Sequence, residues 1–506
     1  ASHPASPARR RFLETGAAGA AALVVGFHWV GEDAFAQAPP EKKTVNPFDA
    51  WVRVEADGTV RLILGKSEMG QGVMTSLPMI LADELRVDWK HVRVEQAPTK
   101  PGVYDHGTGG SSSVRTSWLP LRQAGAAARE MLILAAARQW NVEPKTCHAE
   151  DGAVVHGPRT KRLPYAQLVA AASKLEVPAL ASVPLLNPAE FRIVGTPQAR
   201  LDVPSKVDGT AVFGLDVRVP GMLYAVVARC PVFGGRVKTF DAAKAKAVPG
   251  VRHVVEIPAV AAAHTAGGIA VVADNTWAAM QGRDALAIQW DEGPHAGESS
   301  DTLRAQFEEH LQNPGATIAR NDGDAPAALA SGRRIEAVYD VPFQNHSPME
   351  VMNATVHVRK DGAEAWLPTQ GPEWGLGAIA AITGLPPERI VVHTTLMGGG
   401  YGRRYHSDFV AEATQISKAV DAPVKLVFTR EDDTQHGFYR PASLHRFEGA
   451  VDDKGQPTAW HHRMSSVSID GYWTPPDKAK PASSEINGAV NLPYAIQNLR
   501  LEYTPA

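Results

Sequence analysis

Cysteine is nearly absent: Cys147 and Cys230 are the only two in 506 residues, and neither sits in a C-x-x-C. Two thiols cannot supply the four ligands of an iron–sulfur cluster, and without C-x-x-C-H there is no covalent haem site. They read as buried, unpaired thiols, so redox chemistry here would need electron-transfer centres carried by a partner. Basic charge is not in excess either: 51 Lys and Arg against 54 Asp and Glu leave a formal net charge of −3. With no long basic run there is no electrostatic footprint for nucleic acid. The glycine clusters do not follow a strand with G-x-G-x-x-G spacing, which removes the dinucleotide-binding fingerprint. His346, His406, His436 and His445 are not paired at H-x-x-x-H or H-E-x-x-H spacing, so no protein-ligated metal is expected. Beyond the N-terminal segment no apolar run is long enough to span a bilayer.

What is present begins with that segment. Arg9-Arg10-Arg11-Phe12-Leu13 precede a Gly/Ala-rich apolar run from Gly16 to Val30 and then Ala34-Phe35-Ala36, the three-part layout of an export signal over residues 1–36. Adjacent arginines followed by Phe-Leu resemble a twin-arginine signal, with Ala8 in place of the usual Ser or Thr and Glu14 in place of the usual Lys. A basic arm on an Ala-rich helix is the alternative, which the glycines and the following Gln37-Ala38-Pro39-Pro40 disfavour. The expectation is a periplasmic protein, attached to a membrane only through a partner or an uncleaved signal. Twin-arginine export carries folded proteins, which suits a chain that receives a complex cofactor before leaving.

The length calls for about three or four domains. Trp51 to Leu64 alternates apolar and polar residues around Asp57-Gly58, a β-hairpin signal. Gly65 to Gly72 is a glycine-bearing loop, and Met74 to Leu85 has helical spacing. Strand Val92–Glu95 leads to a Gly/Ser-rich loop from His106 to Ser113, then an Ala-, Leu- and Arg-rich helix from Ser117 to Gln139. A Pro/Ala-rich stretch from Val177 to Pro188 marks a boundary. Short Val-rich strands follow from Arg192 to Trp290, with a turn at Val248-Pro249-Gly250 and a helix near Asn275 to Ala287. His295 to Gly332 reads as a linker carrying one helix. From Ile335 onward strands and helices alternate around the densest glycine loop, Gly398-Gly399-Gly400-Tyr401-Gly402. The pattern is α+β, and the end at Leu501–Ala506, in what reads as strand and turn, leads us to expect a missing C-terminal remainder.

Three loops together resemble the molybdopterin-binding large subunits of the xanthine dehydrogenase family. These are Glu68-Met69-Gly70-Gln71-Gly72 with Gly109-Gly110-Ser111-Ser112-Ser113, and Met397-Gly398-Gly399-Gly400-Tyr401-Gly402-Arg403-Arg404 preceded by Thr369-Gln370. Val203-Pro204-Ser205-Lys206-Val207-Asp208-Gly209 through Val248-Pro249-Gly250-Val251 resembles the family's α/β hammerhead domain. The Glu-Met-Gly-Gln-Gly loop precedes that domain instead of following it. This order resembles the isoquinoline 1-oxidoreductase β-subunit and related periplasmic aldehyde dehydrogenases. The resemblance divides the chain into molybdopterin-binding segments at 44–180 and 333–506, a hammerhead domain at 190–295 and a linker at 296–332.

It also assigns roles. Gly70, Gln71, Gly72, Ser111, Ser112, Ser113, Gly398, Gly399, Gly400 and Gly402 are the expected cofactor-binding residues. Glycines let backbone N–H groups approach phosphate and pterin edges, and serines at a helix start add hydroxyl donors where the dipole favours anions. Without the resemblance, Ser111 to Ser113 would read as a flexible loop. The Gln71 amide can donate to and accept from a pterin edge. Glu68 is either a solvated loop charge or a group acting from behind the cofactor loop. Gln370 matches a glutamine near the metal, and Tyr401 the aromatic beside it. Arg440, ten residues after Arg430, reads by itself as a surface salt-bridge residue; the resemblance makes it a substrate-orienting arginine that stabilises developing negative charge.

The implied cofactor is molybdenum–molybdopterin, in its cytosine dinucleotide form, and the implied reaction oxidises an aldehyde or hydroxylates an N-heterocycle with oxygen from water. The family's general-base glutamate lies in a Gly-x-Gly-Glu-like segment that does not occur after Arg440, so it is expected beyond Ala506. Tyr405 stands where purine-oxidising relatives carry a glutamate, which argues against xanthine as the small-molecule substrate. A small ferredoxin-like subunit with 2Fe-2S clusters is the expected partner, with a c-type cytochrome as acceptor. The competing reading is a non-catalytic exported scaffold that keeps the fold.

Overall fold

The computed structural model describes residues 23–25, 52–157, 161–315, 317–469, 471 and 483–506. The segment expected to be an export signal falls outside these residues except for Leu23–Val25, a short strand that pairs antiparallel with Val52–Val54. The chain forms two compact units, one from Ala1–Ala228, Ala242–Leu286 and Pro348–Phe428, the other from Arg229–Asp241, Ala287–Ser347 and Thr429–Ala506.

The first unit holds two main layers of sheet and helix. Val52–Val54 and Val60–Leu64 form the hairpin expected around Asp57-Gly58. Gly58 takes a left-handed φ of 87° there, and the Asp57 carboxylate accepts from the Thr59 N–H. Val92–Gln96 then pairs parallel with Val60–Leu64, completing a four-stranded sheet. Two helices cover it, Val73–Leu85 and Ser113–Trp140, the second beginning four residues earlier than the apolar spacing marks. The first turn of a helix needs no apolar face, so periodicity locates the packed part and misses the polar start. The two helices meet at Gly125, where a Cβ would lie 2.6 Å from the Leu81 carbonyl oxygen. Leu62, Leu64, Leu77, Leu81, Ala124, Ala128 and Leu132 are fully buried in this layer. At about 25 cal/mol per Å2 such burial is the main stabilising term.

The first unit also holds a three-stranded antiparallel sheet of Cys147–Glu150, Ala153–His156 and Lys161–Pro164, and a seven-stranded sheet in the order Val251–Ile257, Gly268–Ala273, Leu223–Ala228, Val424–Val427, Asn353–Arg359, Gly362–Leu367 and Ile390–Thr394. Its central strands are largely buried, the polar Asn353, Thr355 and Lys425 included, as strands covered on both faces are. Leu223–Ala228 and Val424–Val427 pair parallel although some two hundred residues of chain separate them. Helices Pro372–Thr383 and Asp408–Val420 pack on this sheet.

The second unit is built on a five-stranded sheet, ordered Thr317–Asp322, Asn498–Pro505, Pro457–Ser466, Ser443–Val451 and Arg333–Val341, with a two-stranded ribbon of Arg236–Asp241 and Ala287–Asp291. The segment 190–295 is thus divided between the two units. Residues 296–332, read as a linker with one helix, contain helices Ser300–Gln312 and Ala325–Ser331 and an edge strand of that sheet. Their polar, Ala-rich composition hid two buried side chains, Phe307 and Leu311, which anchor the first helix. The fold is α+β, and Cys147 and Cys230 are both buried and free. Among the described residues no helix is long and apolar enough to cross a membrane.

Candidate cofactor site

Four loops of the first unit meet around Gln370, which is 2% exposed. They are the turns after strand Val60–Leu64, before helix Ser113–Trp140, before helix Pro372–Thr383 and after strand Ile390–Thr394. The Gln370 side chain ties two of them together: Nε2 donates to the Thr108 carbonyl at 2.7 Å, and Oε1 accepts from the Gly402 N–H at 3.0 Å. Its backbone continues the tie, since Gln370 N donates to the Arg404 carbonyl and Thr108 N to the Gln370 carbonyl. Ser67 N donates to Thr108 Oγ1, bringing in the first loop. An amide carries two N–H bonds, so Gln370 retains one donor beyond this lattice.

The Gly398–Gly402 loop is held from behind by buried charge. Arg404 donates from Nε to the Gly399 carbonyl at 2.7 Å, from Nη1 to the Pro368 carbonyl at 3.3 Å and from Nη2 to the Glu350 carbonyl and carboxylate. Glu350 in turn accepts from Gly398 N, Leu215 N and Asn353 Nδ2. Arg403 pairs bidentately with Asp408 at 2.9 and 2.7 Å. Buried ions are held by such pairing, because desolvation otherwise costs several kcal/mol. Two adjacent arginines after a glycine run were legible as part of a motif; their partners, Glu350 and Asp408, were not.

What this frame presents is a row of backbone donors. Gly398 N and Gly402 N are taken, but the N–H groups of Gly399, Gly400 and Tyr401 have no partner among the described residues. Gly400 is itself buried, and a Cβ there would lie 2.6 Å from Gln370 Oε1 and 2.7 Å from Met69 Sδ. Gly399 and Tyr401 both have left-handed φ, 94° and 55°, which turns successive N–H groups toward one side. Such a nest suits an anionic or oxo-bearing group. The Tyr401 ring is 75% exposed at this loop. Gly110 and Ser111 repeat the left-handed pattern with φ of 60° and 53°, at the start of the 28-residue helix Ser113–Trp140. The Ser112 hydroxyl donates back to the Gly109 carbonyl, so of the three serines its Oγ is committed locally.

The first loop carries two findings that its sequence does not disclose. Glu68 is 1% exposed and is no solvated charge. Its carboxylate accepts from Gly70 N at 2.8 Å, Gly72 N at 3.0 Å and Met74 N at 2.9 Å, closing the loop over the start of helix Val73–Leu85. Arg200 braces it, donating to Glu68 Oε1 at 3.3 Å and to the Gly70 carbonyl at 3.0 Å. The Gln71 amide is engaged at both ends within the same loop, with Oε1 accepting from Met69 N and Nε2 donating to the Ser67 carbonyl. Its remaining capacity is one N–H and one lone pair.

Tyr405 packs edge-on against Trp374 at 4.4 Å and lies over Gly107 and Gly109, where a Cβ would meet its ring or hydroxyl at 2.8 to 3.0 Å. Burial, then Asp105 and Glu373, push its phenol upward. Arg440 belongs to the second unit. It is exposed, and its backbone forms an antiparallel bridge with Gln344. Among the described residues no group of three or more His, Cys, Asp or Glu is placed to hold a metal ion.

Two family profiles, each described as a molybdopterin cofactor-binding domain, match residues 14–206 and 307–506. The isoquinoline 1-oxidoreductase β-subunit of Brevundimonas diminuta is 33% identical over 83% of this chain and 59% of its own length. A membrane-bound aldehyde dehydrogenase of Gluconacetobacter polyoxogenes, named for pyrroloquinoline quinone, is 31% identical over 82% of this chain and 54% of its own. Among solved structures, quinoline 2-oxidoreductase from Pseudomonas putida 86 shares the fold at a TM-score of 0.50 and 19% identity, covering 62% of this chain and 44% of that one. The chain belongs to the molybdopterin-binding subunits of the xanthine dehydrogenase family. It spans a little over half the length of these two curated relatives.

Proposed function

We propose that this chain carries the cofactor-binding site of an exported molybdenum hydroxylase that oxidises an aldehyde or hydroxylates an N-heterocycle. The supporting observation is the convergence of four loops on Gln370, with unengaged backbone donors of Gly399, Gly400 and Tyr401 on one of them. These donors would hold the oxo-bearing end of a molybdopterin, and the Gly109–Ser111 turn at a helix start would take part of its anionic tail. When bound, that group supplies two-electron oxidation with oxygen taken from water. The chain's own residues bind and orient: Gln370 offers its spare N–H, Glu68 and Arg404 keep the loops shut, and Tyr405 with Trp374 walls one side.

The relatives named for isoquinoline and for aldehyde support these two substrate classes. With only two cysteines in the chain, electrons would pass to an iron–sulfur subunit. The cytosine dinucleotide form, the periplasmic location given by the N-terminal signal, the role of Arg440 in orienting substrate and the base beyond Ala506 belong to the same proposal. Elemental analysis and pterin-nucleotide release on the exported, full-length protein with its natural partners test it. Molybdenum and pterin in the large chain, with iron in a copurifying small chain, support it. Absence of metal and pterin from correctly exported protein overturns it in favour of a scaffold.

A further inference from the structure

Strand Arg333–Val341 is an edge of the second unit's five-stranded sheet, paired among the described residues with Ser443–Val451 alone. Its residues alternate: Ile335, Ala337, Tyr339 and Val341 share one face, while Arg334, Glu336, Val338 and Asp340 share the other. The register continues the first face across the sheet, aligning Ile335 with Gly449 and Trp460, and Ala337 with Phe447 and His462. Beyond them the same face carries Leu499, Leu501 and Tyr503. Cover over this face is uneven. Met464, Leu501 and Tyr503 are buried against Ile486, Ala489 and Val490. Toward the edge the face lies open: Ile335 is 54% and Tyr339 58% exposed. With Phe447, Val451 and Trp460 they line a groove of about 620 Å3 whose wall contains no Asp, Glu, Lys or Arg. A wall so free of charge has the character of a permanent interface, because transient ones keep more polar surface. Left bare, an apolar edge of nine residues invites pairing with other chains.

The path of the chain points to what covers it. Ala506 N donates to the Ser466 carbonyl at 2.9 Å, at the end of the sheet where Ser466, Ser443 and Val341 lie side by side. Neighbouring strands stand about 4.8 Å apart, so Val341 lies about 14 Å across the sheet from Pro505, a span of about five extended residues. Chain that crosses there and turns back runs antiparallel to Arg333–Val341, along the open groove. The two curated relatives are long enough to supply it, since this chain spans 59% and 54% of them. We propose that, in the full-length protein, the segment following Ala506 crosses this end of the sheet and packs apolar side chains into the groove over Ile335, Tyr339, Phe447 and Trp460, completing the core of the second unit. A tether of a few residues gives that segment an effective concentration in the millimolar range, an advantage that a second copy or a separate subunit lacks. This covering is a property of the second unit and does not depend on the cofactor site.

Photo-crosslinking in the full-length protein, with its natural partners present, tests the assignment. Tyr339→p-benzoylphenylalanine puts the reactive group on an exposed position of the groove, where the fold tolerates it. Irradiation should give a chain of unchanged mass on a denaturing gel, with position 339 joined to a peptide beyond Ala506. A link to a second copy, to a copurifying subunit or to a peptide within residues 1–506 overturns the proposal, as does the absence of any link to protein. Thermal denaturation of the same full-length protein gives a second reading. Ile335→Asp places a charge beneath the cover and should lower the Tm by roughly 4–8 °C. Val338→Asp, at a position 60% exposed on the opposite face of the same strand, should move it by less than about 2 °C. Equal shifts for the two variants, or none for Ile335→Asp, mean that the groove is open to water in the whole protein and refute the cover.

Discussion

Removing the carboxylate of Glu68 is the sharpest perturbation the site offers, because one small group closes a whole loop. Glu68→Ala deletes an acceptor for three backbone N–H groups, of Gly70, Gly72 and Met74, and the partner of Arg200. Hydrogen bonds to a charged group contribute about 1.5–3 kcal/mol each. Gly70 and Gln71 are exposed, so water would replace part of what is lost, and Arg200 keeps Asp202 at 2.6 Å. The expected net cost is about 3–5 kcal/mol, within the range for breaking a buried charged network. Glu68→Gln retains one acceptor oxygen and should cost about 1–2 kcal/mol. Amide exchange read at Gly70, Gly72 and Met74, together with bound pterin per chain, measures both effects. Helix Val73–Leu85 should fray from its first turn while the residues near Leu85 stay protected. If Glu68→Ala left Met74 as protected as in the wild type, the carboxylate would not be the closure of this loop, and the magnitude worked above would be wrong at its root.

Arg404→Met should destabilise the first unit by about 3–5 kcal/mol in urea denaturation, because it removes the cation paired with the buried Glu350 carboxylate and a donor to three carbonyls. Gly400→Ala places a methyl against Gln370 Oε1, which is locked, and Met69 Sδ, which can turn away. A cost of about 1–3 kcal/mol and a fall in pterin content are expected, the second larger in proportion than the first. The second unit should weaken in acid. His462 lies 3.0 Å from His445 and stacks on Phe447, and burial, then His445, push it down to about 3. A histidine held neutral in the fold contributes stability that is complete above its unfolded pKa of about 6.5 and is lost as pH falls toward the folded value, at up to about 1.4 kcal/mol per pH unit. Thermal denaturation between about pH 7 and pH 4 should show that loss, and His462→Phe should flatten it.

Local chemistry made part of this protein readable from its residues. Asp57-Gly58 announced a hairpin because a left-handed turn residue and an aspartate cap act within four residues. The glycine loops at Gly70–Gly72, Gly109–Ser111 and Gly398–Gly402 could be located for the same reason, since so many glycines fit neither helix nor strand. Periodicity placed the body of helix Ser113–Trp140 and missed its polar first turn. The cap formed by Glu68 is also local, yet a charge in a glycine loop before a helix looks the same whether solvated or buried. Only its accessibility distinguishes the two.

By itself, then, the sequence determined where the loops lie, that they must be tight, that no iron–sulfur centre can form on two cysteines, and which family the loops resemble. Tertiary structure decided what those loops do to one another. Thr108 meets Gln370 across 262 residues, Arg404 meets Glu350 across 54, and Trp374 meets Tyr405 from a separate segment. Sequence patterns carry periodicity and local turn chemistry over a few residues. Partners of a buried charge are chosen by which strands lie side by side, such as Leu223–Ala228 beside Val424–Val427. That choice follows from the packing of the whole core, so the pairings that hold the site closed come into view only in the fold.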